Sequence, residues 1–61
     1  MKLTGETITD DQIRQLMADG VTDPEIRRVG LIALRSPNKR KRRRLRARAA
    51  TIWNHLHEDR A

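Results

Sequence analysis

Eight of the ten residues from Lys39 to Arg48 are cations: Lys39, Arg40, Lys41, Arg42, Arg43, Arg44, Arg46 and Arg48, with Leu45 the one large apolar side chain among them. The chemistry they offer is charge and hydrogen-bond donation. A guanidinium presents a planar fork of N–H donors that holds two phosphate oxygens together and can also reach the acceptor edge of guanine. Eleven of the fourteen cations in the chain are arginine, so the fork outweighs the point charge. On a helix, Lys39/Arg43, Arg40/Arg44, Arg42/Arg46 and Arg44/Arg48 stack as like charges, at about 0.2–0.5 kcal/mol each. The leading cations also oppose the positive end of the helix dipole. A polyanion from outside the chain relieves both. These eight residues are therefore expected to contact the phosphates of a nucleic acid, DNA ahead of RNA, with an affinity that falls steeply with salt. An acidic protein surface or anionic lipid would answer the same charge. The plainer readings are a solvated face and neutralisation by the acids of the chain itself.

Those acids are concentrated at the other end. Residues 1–25 hold two cations, Lys2 and Arg14, against six acids, a net −4; residues 26–61 hold twelve cations against two acids, a net +10. Such polarity is expected of a nucleic-acid binder. The 61 residues allow one domain with a marginal core, and the lack of cysteine rules out a disulfide or thiolate metal staple. The longest apolar run, Val29 to Leu34, contains Gly30 and is far shorter than a membrane span, and no secretory h-region opens the sequence. We expect a cytoplasmic protein, at the nucleoid if it binds DNA, that makes no membrane contact.

Three elements must position the cations. Residues 1–8 lack periodicity and read as a flexible lead-in. Thr9 and Gln12 form a capping-box pair, with Ile8 and Ile13 placed as a hydrophobic staple, and so predict a first helix over 10–19 that buries Ile13, Leu16 and Met17. Gly20 is placed to end it as the C′ residue. Thr22, Asp23 and Pro24 open a second helix over 24–35, whose apolar residues Ile26, Val29, Leu31, Ile32, Ala33 and Leu34 leave Arg28 and Arg35 as a polar strip. Gly30 marks either a close approach of another backbone or partner, or a kink. Ser36 and Pro37 repeat the cap-plus-proline signal for a third helix over 37–58, with Leu45, Ala49, Ile52, Trp53 and Leu56 on one stripe. Its first two turns are charged all round and are expected to project beyond the core. No stretch reads as a strand. The expectation is an all-α, three-helix domain with a basic amphipathic C-terminal helix and a tail at 59–61.

From Ile13 to Ile26 the order of helix, glycine turn and capped second helix resembles bacterial helix-turn-helix domains of the response-regulator type. Gly20, Thr22, Asp23, Glu25 and Ile26 match the Gly-x-Ser/Thr-Asn/Asp-x-Glu-Ile pattern that opens the middle helix of those domains. The resemblance covers fourteen residues and implies that the third helix is the recognition element, entering a DNA groove by its N-terminal residues. The opening Ile8-Thr9-Asp10-Asp11-Gln12-Ile13-Arg14 is also similar to the start of small helical proteins of bacterial mobile elements.

Other chemistry is sparse. Trp53, the one aromatic, belongs to the core or anchors a protein partner. His55 and His57 sit two apart and point to different sides of a helix, so a cation at the helix end is a better reading than a metal pair. With no cysteine, tyrosine or glycine-rich phosphate loop, and with carboxylates mostly at helix starts, no enzyme, cofactor or metal is expected. The alternative function is a phage or mobile-element inhibitor or adaptor whose basic helix covers an acidic or nucleic-acid-binding surface of a host protein. Homodimerisation is compatible with either.

Overall fold

The computed structural model describes residues 2–20 and 22–58; Met1, Val21 and the tail read at 59–61 lie outside the described residues. Three helices follow one another, α1 (Asp10–Asp19), α2 (Pro24–Arg35) and α3 (Lys39–Glu58), and the described residues contain no strand. The fold is all-α.

The capping box forms at α1. Gln12 N–H donates to the Thr9 hydroxyl at 3.1 Å, while Thr9 N–H donates to Gln12 Oε1 at 2.9 Å, so two otherwise orphaned donors are satisfied. Ile8 and Ile13, the staple pair, are both buried. Gly20 closes α1 differently from the C′ reading. It occupies the cap itself at an ordinary φ of −103°, donating its N–H to Leu16 O at 2.9 Å. Space, not backbone handedness, calls for glycine here: a Cβ would stand 2.9 Å from Ile26 Cδ1.

Asp23 caps α2 by accepting the Glu25 N–H at 2.9 Å, and Pro24 fills the first turn. Gly30 is a close approach, since α2 runs unbroken through it and a Cβ there would collide with Met17 Cγ and Sδ of α1. The helix therefore gives up about 1 kcal/mol of propensity to bring α1 near.

α3 begins at Lys39, two residues after the proline signal. Ser36 is used to close α2: its N–H donates to Ile32 O at 3.0 Å and its backbone is extended, as the residue before a proline prefers. Asn38 takes over as the cap of α3, its Oδ1 accepting the Lys41 N–H at 3.1 Å and its carbonyl the Arg42 N–H at 2.9 Å.

The N-terminal segment is where composition misleads most. Instead of leading in loosely, it is seated on α3. Leu3 N–H donates to Asn54 Oδ1 at 2.9 Å, and Asn54 Nδ2 donates back to Leu3 O at 2.8 Å. Thr4 and Thr7 close a turn, with the N–H groups of Thr7 and Ile8 donating to Thr4 O. A Cβ on Gly5 would lie 3.0 Å from the Ala47 backbone, so the segment runs so close to the helix that a side chain here would push the two backbones apart by a few tenths of an ångström.

Ile8, Ile13, Leu16, Val29, Ala33, Ala49 and Ala50 form the core, with Leu3, Ile26, Leu34, Leu45, Ile52 and Trp53 packed around it. Each fully buried Ile or Leu contributes roughly 1.5–3 kcal/mol. Leu31 and Leu56, expected inside, are 42% and 45% exposed. The helices α2 and α3 make the most extensive contact, with Glu25 against Arg48 at one end and Ser36 against Arg42 at the other. The first turns of α3 therefore lie beside the C-terminal half of α2 and do not project clear of the core.

Candidate polyanion-binding face

The fold divides the eight cations into two groups. Arg42, Arg46 and Arg48 are engaged within the chain. Arg42 Nη1 donates to Ser36 O at 3.1 Å, placing a guanidinium over the carbonyl end of α2, where both hydrogen bonding and the helix dipole favour a cation. Its stem continues the inner stripe below Leu45, half-buried. Arg46 is bound twice: Nη1 donates to Asp10 Oδ1 at 2.7 Å and Nη2 to Ile8 O at 2.6 Å, tying the start of α1 to α3. Arg48 pairs with Glu25 at 2.9 Å across the α2/α3 seam, with both side chains more than half exposed.

The Arg46 contact also sets the charge of Asp10. The hydrogen bond from Arg46 holds its carboxyl below the ordinary carboxylate value, helped by the positive charges of Arg46, Arg14 and Arg42 and opposed by slight burial. The ionised form of Asp10 is thus favoured by the same contact that ties α1 to α3.

Lys39, Arg40, Lys41, Arg43 and Arg44 are exposed, and none of their side chains pairs with an acid among the described residues. The first turn of α3 contains no acid. Arg40, Arg43 and Arg44, at i, i+3 and i+4, share one surface. Their mutual repulsion is relieved by no ion pair among the described residues. On one flank, Arg43 lines an open groove with Arg42, Arg46, Thr4, Gly5 and Glu6; on the other, Lys41 lines a recess with Leu31, Ile32, Arg35 and Ser36. A string of phosphates laid along this face would meet guanidinium forks at successive turns.

The chain matches no family model, no curated protein and no solved structure. Its function therefore rests on the site alone.

Trp53 is half-buried against the core, and its ring stacks on His57 with centroids 4.2 Å apart and planes 17° from parallel. His57 Nδ1 lies 2.8 Å from Trp53 O. His55 lies instead on a recess with Ile26, Ile52 and Leu56. The two histidines therefore do not converge on a common point, and the described residues contain no cluster able to hold a metal.

Two features of the site escaped sequence reasoning. One is the clamp at Asn54; its only sequence signal is the row Ala47, Ala50 and Asn54, small or amide residues at i, i+3 and i+7, which marks a second line of contact on α3. The other is the choice of cations engaged within the chain: neutralisation by its own acids is among the readings the sequence offers, but not that it falls on Arg46 and Arg48, with Arg42 on a carbonyl. No local pattern foretells it, because Asp10 and Ile8 lie 36 and 38 residues away from Arg46.

Proposed function

We propose that this chain is a small basic nucleic-acid-binding protein, with DNA preferred to RNA, that grips the phosphate backbone through Lys39, Arg40, Lys41, Arg43 and Arg44. The observation that carries the reading is the set of five exposed cations on one end of α3, none of them ion-paired with a carboxylate among the described residues. Holding like charges together costs helix stability, and phosphates return that cost while releasing condensed counterions. Arg46 and Arg48, occupied by Asp10 and Glu25, contribute field more than contact.

The test is binding to duplex DNA and duplex RNA across a salt series. Five phosphate contacts predict a log–log slope of about −4.5 on DNA, so a rise from 50 to 200 mM salt lowers affinity roughly five hundredfold. Absence of binding at low salt, or affinity indifferent to salt, overturns the reading. Retention of an acidic host protein after nuclease treatment would put the inhibitor or adaptor function in its place.

A further inference from the structure

The cationic face does not stop at α3. Successive residues of a helix are turned by about 100°, so Arg28 and Arg35, seven apart on α2, fall within about 20° of each other and form a row. Two contacts fix which way that row faces. Glu25, paired with Arg48, marks the α3 side of α2 and lies about 60° round from Arg28. Gly30, against Met17, marks the α1 side and lies about 60° round from Arg27. Arg28 therefore leans toward α3, and Arg27 leans away. Arg35 stands on the outer surface of α2 between its neighbours, lining one recess with Lys41 of α3 and another with Asp10, Arg14 and Met17 of α1. Across the seam, Lys41, Arg44 and Arg48 make the facing row on α3, since Arg48 is the residue that holds Glu25. Arg28 and Arg35 are exposed and have no acid partner among the described residues.

Two rows of cations thus run side by side on packed helices, whose axes lie about 8–10 Å apart. A single strand presents one line of phosphates to such a surface. A B-form duplex presents two, the ridges on either side of its roughly 6 Å minor groove. We propose that α2 and α3 together straddle duplex DNA, with Arg28 and Arg35 on the phosphates of one strand and Lys41 and Arg44 on those of the other. This rests on the phosphate-binding reading above and deepens it by naming the ligand as double-stranded.

The experiment compares the intact chain with an Arg28→Gln/Arg35→Gln double variant, using a DNA duplex and one of its strands as probes over a salt series. Glutamine keeps helix propensity close to that of arginine, and both positions are exposed. Loss of two phosphate contacts is expected to flatten the duplex slope by about 1.8 and to weaken duplex binding about sixtyfold at 0.1 M salt. Binding to the single strand falls much less, and Arg27→Gln, which removes charge from the α1 side, leaves the duplex slope unchanged. A double variant that binds duplex like the wild type, or no worse than Arg27→Gln, overturns the inference. An Arg40→Gln/Arg43→Gln/Arg44→Gln variant separates the two levels. If it abolishes binding while Arg28 and Arg35 prove silent, only the two-helix footprint falls; if it binds unchanged, the phosphate-binding reading falls with it.

Discussion

Arg44 and Arg46 are two residues apart on the same helix and chemically identical, yet the fold puts them to different uses. Arg46 faces the start of α1, finds a carboxylate and a carbonyl within 2.7 Å, and holds two segments together. Arg44 faces solvent, with Arg40 and Lys41 one turn before it, Arg48 one turn after, and no ion pair among the described residues. The inner face of α3 turns arginine into a structural tie, and the outer face leaves it available for an external anion. Charge density by itself does not say which arginines bind. That depends on what the rest of the chain sets opposite each one.

The sharpest way to break this contrast is to neutralise the outer face. Arg40→Gln/Arg43→Gln/Arg44→Gln should flatten the DNA-binding slope by about 2.7 and weaken binding about five hundredfold at 0.1 M salt. Thermal stability should hold or rise, because like-charge pairs disappear. A matched loss of stability would show that these side chains also serve the fold.

The inner face should respond the other way. Arg46→Ala leaves the Ile8 carbonyl and Asp10 without their donor, so unfolding in urea should show a loss of about 1–3 kcal/mol, while Arg44→Ala costs almost nothing. Equal effects of the two substitutions would erase the distinction.

Asn54→Ala probes the second line of contact on α3. Losing both hydrogen bonds to Leu3 should cost about 1–2 kcal/mol and expose the amides of the N-terminal turn to faster hydrogen exchange.

The smallest effect is expected at Asp10, whose side chain is 59% exposed. Asp10→Asn should cost under about 1 kcal/mol at neutral pH. Since the folded-state pKa of Asp10 is lowered, the tie stabilises the protein above the unfolded carboxylate value of 3.8 and is lost as pH falls through the lower folded value. The stability gap between variant and wild type should therefore close in strong acid, and a gap independent of pH would contradict it.

Local signals carried most of the helical framework. Thr9 with Gln12, Asp23 with Pro24, and the apolar spacing through α1 and α2 depend on neighbours within one or two turns, so the chain declares them on its own. The start of α3 was displaced because two polar residues compete there, and the end of α2 claimed Ser36, leaving Asn38 to cap. The cationic run was equally plain, as was its polarity against the acidic first third. What sequence alone determined, then, was the set of helices and the presence of a dense positive charge, both of which follow from short-range spacing. Only tertiary structure decided that residues 2–8 are seated on α3, that Gly20 and Gly30 make room for side chains, and that Arg42 and Arg46 are turned inward and Arg48 is paired across the α2/α3 seam while Arg40, Arg43 and Arg44 face out. The reason is range: these outcomes depend on which groups meet after the helices pack, and a pattern confined to neighbouring residues contains no record of that meeting.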